Sequence, residues 1–137
     1  MRSLSLSRGT LLLMAAATTC AAQPAIAGSL SDGAVAYAQG HYAVALQLLQ
    51  PLAEDGNPDA QMLLGVMYQQ GQGVPRNNLR AYVWFSEAML ILDPASGDFR
   101  NAIKGRDDIA KSMTSAEIKV AEEAAHRCRA SNYKDCK

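Results

Sequence analysis

The chain has 137 residues, with 13 Lys and Arg against 13 Asp and Glu, and 49% of its residues are hydrophobic. That balance gives no electrostatic footprint for nucleic acid or an anionic membrane surface, so neither is expected as a partner. The length suits one domain with a modest core.

Residues 1–27 read as a secretory signal peptide. Arg2 and Arg8 make a positive start, Leu11 to Ala17 make a short apolar core, and Ala25-Ile26-Ala27 supplies a small-x-small cleavage pattern. The apolar run falls short of the ~20 residues that span a bilayer. A lipoprotein signal would place Leu three residues before its Cys. Ala17-Thr18-Thr19 precede Cys20 instead, so Cys20 is expected to leave with the leader, without a lipid anchor. The mature domain, residues 28–137, keeps 11 basic and all 13 acidic residues, a net charge of −2. It is expected in the periplasm or secreted, and as a monomer.

From Leu30 onward apolar residues recur at helical spacing. Ala34, Tyr37 and Ala38 mark a first helix ending at Gly40. Ala45, Leu48, Leu49, Leu52 and Ala53 mark a second, interrupted by Pro51, which should cost it one backbone bond and bend it. Asn57-Pro58 is a cap followed by Pro at the first helical position, and Ala60, Leu63, Leu64, Met67 and Tyr68 form the third stripe. Gly71 and Gly73 suit a chain turn with positive φ. Asn77 caps a fourth helix whose stripe includes Ala81, Trp84, Phe85, Ala88 and Leu92. Asp93-Pro94 or Ser96 starts a fifth, with Phe99, Ala102, Ile103 and Ala110 turned inward. Thr114 and Glu117 form a capping box for a sixth, which runs to about Cys128.

Cys128 and Cys136 are the two cysteines left after the leader. An even count in an exported chain predicts a disulfide, which the chain-entropy model values at ~2.5 kcal/mol for this loop. His126 nearby does not make a metal site, because two Cys and one His without C-x-x-C spacing fit zinc poorly. No metal or cofactor is expected.

Six helices with short turns make three pairs, and Ala45 and Ala81 begin equivalent stripes 36 residues apart. A period of that size signals a helical solenoid. Ala60, Leu64, Gly65, Tyr68, Gly71, Gly73, Val74, Asn77, Ala81, Trp84 and Ala88 stand at the positions of the pattern A-x-x-x-L-G-x-x-Y-x-x-G-x-G-V, a polar cap, then A-x-x-W-x-x-x-A. The segment from Gly40 to Met89 thereby resembles the Sel-one-like repeat, a relative of the tetratricopeptide repeat. The resemblance implies an all-α fold, a right-handed α/α solenoid of about three antiparallel helix pairs. His41 replaces the usual polar cap in the first pair, and the last pair lacks the glycine motif and resembles a capping pair.

In physical terms, Gly65 sits inside a helix, where it costs ~1 kcal/mol against Ala, and this is justified only if a neighbour must come very close. Tyr68 and Trp84 are large enough to fill the space between paired helices. Gly71-Gln72-Gly73 has no following Lys and follows no strand, so it is not a phosphate loop. No nucleophile elbow, zincin or calcium-loop motif occurs, and the adjacent carboxylates Glu54-Asp55, Asp107-Asp108 and Glu122-Glu123 point apart on helices. An enzyme is not expected.

The resemblance implies a module that holds a protein or peptide on its concave face. Tyr37, Gln39, Gln61, Gln69, Gln70 and Arg80 are the candidate contact residues. An alternative is a small hydrolase or binder acting on β-lactams or cell-wall fragments, as in cysteine-rich relatives. Those carry a disulfide in each repeat, whereas this chain has one cysteine pair outside the repeat.

Overall fold

The computed structural model describes residues 28–136. The expected leader 1–27, with Cys20 and the cleavage point, lies outside the described residues. Among the described residues the chain is all-helical: α1 (Leu30–Ala38), α2 (Tyr42–Glu54), α3 (Pro58–Gln70), α4 (Asn78–Ile91), α5 (Gly97–Ala110) and α6 (Ser115–Ala130).

Helix starts follow local chemistry. Asn57 accepts from the Ala60 N–H at 2.9 Å, and Asn77 accepts from the Arg80 N–H at 3.0 Å. Ser96 caps α5 through the Phe99 N–H, and Thr114 with Glu117 closes the expected capping box on α6. A second capping box, Ser29 with Asp32, starts α1. His41 stands at the start of α2 but makes no side-chain cap bond. α2 continues through Pro51, which is exposed, so its missing N–H falls on the solvent side.

The α3–α4 turn shows why its glycines are needed. Gly71 ends α3 in the left-handed conformation, φ 71°. A Cβ on Gly73 would stand 2.9 Å from the Tyr42 backbone, so only glycine lets this loop lie on the start of α2. Gln72 Nε2 donates to the Tyr42 hydroxyl at 3.1 Å and holds it there.

Successive helices pack on one another from α1 to α5, and α1–α3 and α3–α5 contacts align the first helix of each pair. That is the stacking of a helical repeat solenoid. The last pair differs: α5 and α6 both rest chiefly on α4 rather than on each other. Ala121, Ala124, Ala125 and Cys128 give α6 a small-residue face, all buried. On α5 the buried residues are Ala102 and Ile109, while Phe99, Ile103 and Ala110 are half-buried.

The α3–α4–α5 contact turns on Phe85. Its ring, 1% exposed, lies between two mid-helix glycines. A Cβ on Gly65 would stand 2.8 Å from the ring, and one on Gly105 would stand 2.6 Å from it. Both glycines are therefore spaces that the ring fills.

After α6 the chain folds back. Asn132 and Tyr133 take left-handed backbone, φ 53° and 64°. Tyr133 faces Gly56 in the α2–α3 turn, and Lys134 donates to the Glu54 carbonyl and Asp55, both at 3.3 Å. Cys128 and Cys136 lie at disulfide distance, with Cα atoms 4.4 Å apart.

Helix propensity alone would make Gly105→Ala stabilising by ~1 kcal/mol. The clamped ring reverses the sign, because it cannot retreat from α5 without meeting α3. Urea unfolding should show Gly105→Ala destabilised by roughly 1–3 kcal/mol. Adding Phe85→Leu to Gly105→Ala should cost less than Phe85→Leu costs the parent. Additive losses would mean that the ring and Gly105 are not coupled.

Candidate functional site

A groove of about 720 Å³ runs between α3 and α5. That volume lies within the range of ligand-holding clefts. Met62, Val66, Gln69 and Gln70 of α3 form one wall, and Asn101, Lys104, Gly105 and Asp108 of α5 form the other. Phe85 is its floor, and Arg76, from the α3–α4 turn, closes one end. The spacing of 62, 66 and 69 is one helical stripe, so these α3 residues share a face because of the 3.6-residue turn.

The α5 wall carries a fixed charge cluster. Lys104 and Lys111 both donate to the Asp108 carboxylate. Those two hydrogen bonds, Lys104's first, hold Asp108 down at about 2, so it stays ionised at any ordinary pH. The ion pairs among the described residues are Lys104–Asp108, Lys111–Asp108, Arg106–Asp107, Arg129–Glu87 and Lys134–Asp55, and Arg76 takes part in none.

The six candidate contact residues do not come together. Gln69 and Gln70 line the groove. Tyr37 is half-buried against Tyr42, ring centroids 5.6 Å apart, and Gln39 caps the end of α1, so both sit on the first pair. Arg80 stacks over the Tyr68 ring at 5.4 Å and donates to its hydroxyl at 3.2 Å. It lies with Leu64, Tyr68 and Trp84 beneath the C-terminal loop, around a cavity of about 40 Å³. Leu64 lies about 200° round α3 from Met62, and Tyr68 about 200° from Val66, so Arg80 serves the opposite side.

Gln61 requires a correction. Exposure on the concave face was expected, but the side chain is fully buried. Its Nε2 donates to the Ala53 carbonyl at 3.1 Å, one of the last carbonyls of α2. Helix ends leave such carbonyls without an intrahelical donor, and a buried amide supplies one.

The pattern Ala60, Leu64, Gly65, Tyr68, Gly71, Gly73, Ala81, Trp84 and Ala88 occupies α3, its turn and α4. All but the two turn glycines are buried. Residues 58–88 match the family model of the Sel1 repeat. The chain carries a Sel1 repeat over this stretch. No curated protein and no solved structure matches the chain. Sel1 repeats mediate protein–protein interaction, and they are typically non-catalytic.

The matched Sel1 repeat supplies one wall, the floor and the Arg76 end of the groove. The other wall comes from α5, beyond the match. Met62, Val66, Arg76, Phe85, Asn101, Lys104, Gly105 and Asp108 were not singled out from sequence as site residues. One signal was present: Gly105, like Gly65, is a glycine inside a helix, and each marks where α3 or α5 meets the same ring.

Glu87 is the one fully buried carboxylate among the described residues. Arg129 Nη1 donates to its Oε1 at 2.7 Å, and its Oε2 has no partner among them. Loss of hydration pushes its pKa up to about 7, against the opposing pull of the Arg129 charge. A raised folded-state pKa makes the protonated form the stabilised one. That contribution is complete below pH 4.5 and is lost as pH rises towards 7. Urea unfolding of the wild type should therefore lose roughly 2–3 kcal/mol between pH 5 and pH 8. Glu87→Gln should flatten that slope, whereas an unchanged slope would assign it to another group.

Proposed function

We propose that the protein is an exported, non-enzymatic module that holds a peptide or a partner protein in the groove between α3 and α5. The observation that carries this reading is the groove itself. It combines apolar contact surface from Met62 and Val66 with amide groups from Gln69, Gln70 and Asn101. Apolar side chains supply contact area, and amides can pair with the donors and acceptors of a peptide backbone. The Sel1 repeat supports the same class of role.

Export rests on the signal pattern of residues 1–27 and on Cys128 and Cys136 at disulfide distance, a pairing that suits an oxidising compartment. In this reading the two cysteines are bonded and the protein acts as a monomer. No helix among the described residues is long and apolar enough to cross a membrane.

A photo-crosslinking residue placed at Gln70 or Asn101 in living cells tests the site. Val44, exposed on α2 away from the groove, is the control position. Defined protein adducts should form from Gln70 and Asn101 and disappear when Val66→Arg is added. Adducts from Val44 alone would overturn the groove as the binding face.

A further inference from the structure

We propose that the partner segment in the α3–α5 groove is an acidic peptide, with an apolar side chain over Met62 and Val66 and carboxylates towards Arg76 and Lys104. This rests on the groove reading above and names the chemistry of its occupant.

The charge balance of the groove favours carboxylates. Asp108, the single carboxylate in the lining, already accepts from both Lys104 and Lys111. A basic peptide would therefore meet a carboxylate whose oxygens are engaged, and two lining cations, Arg76 and Lys104, that repel it. Arg76 stands opposite in character, since it lines the groove and takes part in none of the ion pairs. Its guanidinium is a fork suited to a carboxylate. The whole chain is not basic: Lys and Arg equal Asp and Glu in number. The excess of cations is thus a local property of this face rather than of the composition.

The apolar part sets the second requirement. Met62 and Val66 are half-buried and present an apolar strip beside the charges. A carboxylate-rich segment without an apolar side chain would leave that strip wet. Charges at such a rim act mainly on encounter rate and selectivity, so the complex should weaken with salt.

A library of displayed random decapeptides, selected on the purified chain 28–137, tests the proposal. Enriched sequences should carry an excess of Asp and Glu with at least one large apolar residue. Synthetic copies should bind more weakly at 300 mM than at 50 mM salt. Arg76→Glu, a change at an exposed side chain with no ion pair to lose, should weaken them by about tenfold. Circular dichroism checks that this variant keeps its helices. Lys104→Gln should weaken them in the same direction. Enrichment of neutral or basic peptides that compete for the groove would overturn the acidic partner while leaving peptide binding intact. A selection that enriches nothing would overturn both.

Discussion

The structure depends on one wedge. Phe85 projects from α4 into the angle between α3 and α5, and both flanking helices present a glycine to its ring. The ring is too rigid to yield, and each added methyl would fall inside contact distance. Two helix-weakening residues are thus retained because they let three helices share one side chain. Their cost in propensity, ~1 kcal/mol each, is offset by the burial of an aromatic ring.

The groove follows from this wedge. α3 and α5 approach at the ring, and the space beside it becomes a cleft with an apolar floor. A bulkier residue at 65 or 105 would push one wall away from the floor. The opposite side of α3 and α4 is closed in another manner. There Arg80 covers Tyr68, and the C-terminal segment lies across Trp84 with Tyr133, Lys134 and Cys136. Arg129 reaches from α6 to the buried Glu87, so the same helix that carries Cys128 also anchors the back of α4. One face of the repeat is sealed by the chain itself, and the other is left open.

Much of this architecture was legible in the sequence because it rests on local rules. Asn57, Asn77, Ser96 and Thr114 announce helix starts, and the stripes of α2, α3 and α4 give the inner faces. The Ser29–Asp32 box at the start of α1 obeys the same rule. The site was less legible, for a physical reason. Exposure of a polar residue depends on which neighbour arrives, and one sequence does not state that. Gln61 looks like a surface glutamine until the end of α2 sets the Ala53 carbonyl within reach of its amide. Arg80 looks like a free cation until the Tyr68 ring lies beneath it. Of the six contact candidates, Gln69 and Gln70 line the groove, because they sit at the end of the α3 stripe that faces α5. The α5 wall lay outside the repeat pattern, and its clue was the mid-helix Gly105.

The central claim is that the cleft between α3 and α5, rather than any other face, is where a partner binds. Met62 lines that cleft, whereas Met113 lines the neighbouring pocket beyond Arg76 with Asn78 and Glu117, and Met89 lines neither. The most direct measurement is a methyl NMR titration of methionine-labelled protein with a partner or peptide captured through Gln70. The account predicts a large shift of the Met62 methyl at saturation, with Met89 and Met113 little changed. A complex that forms with Met62 unmoved and Met113 shifted would contradict it.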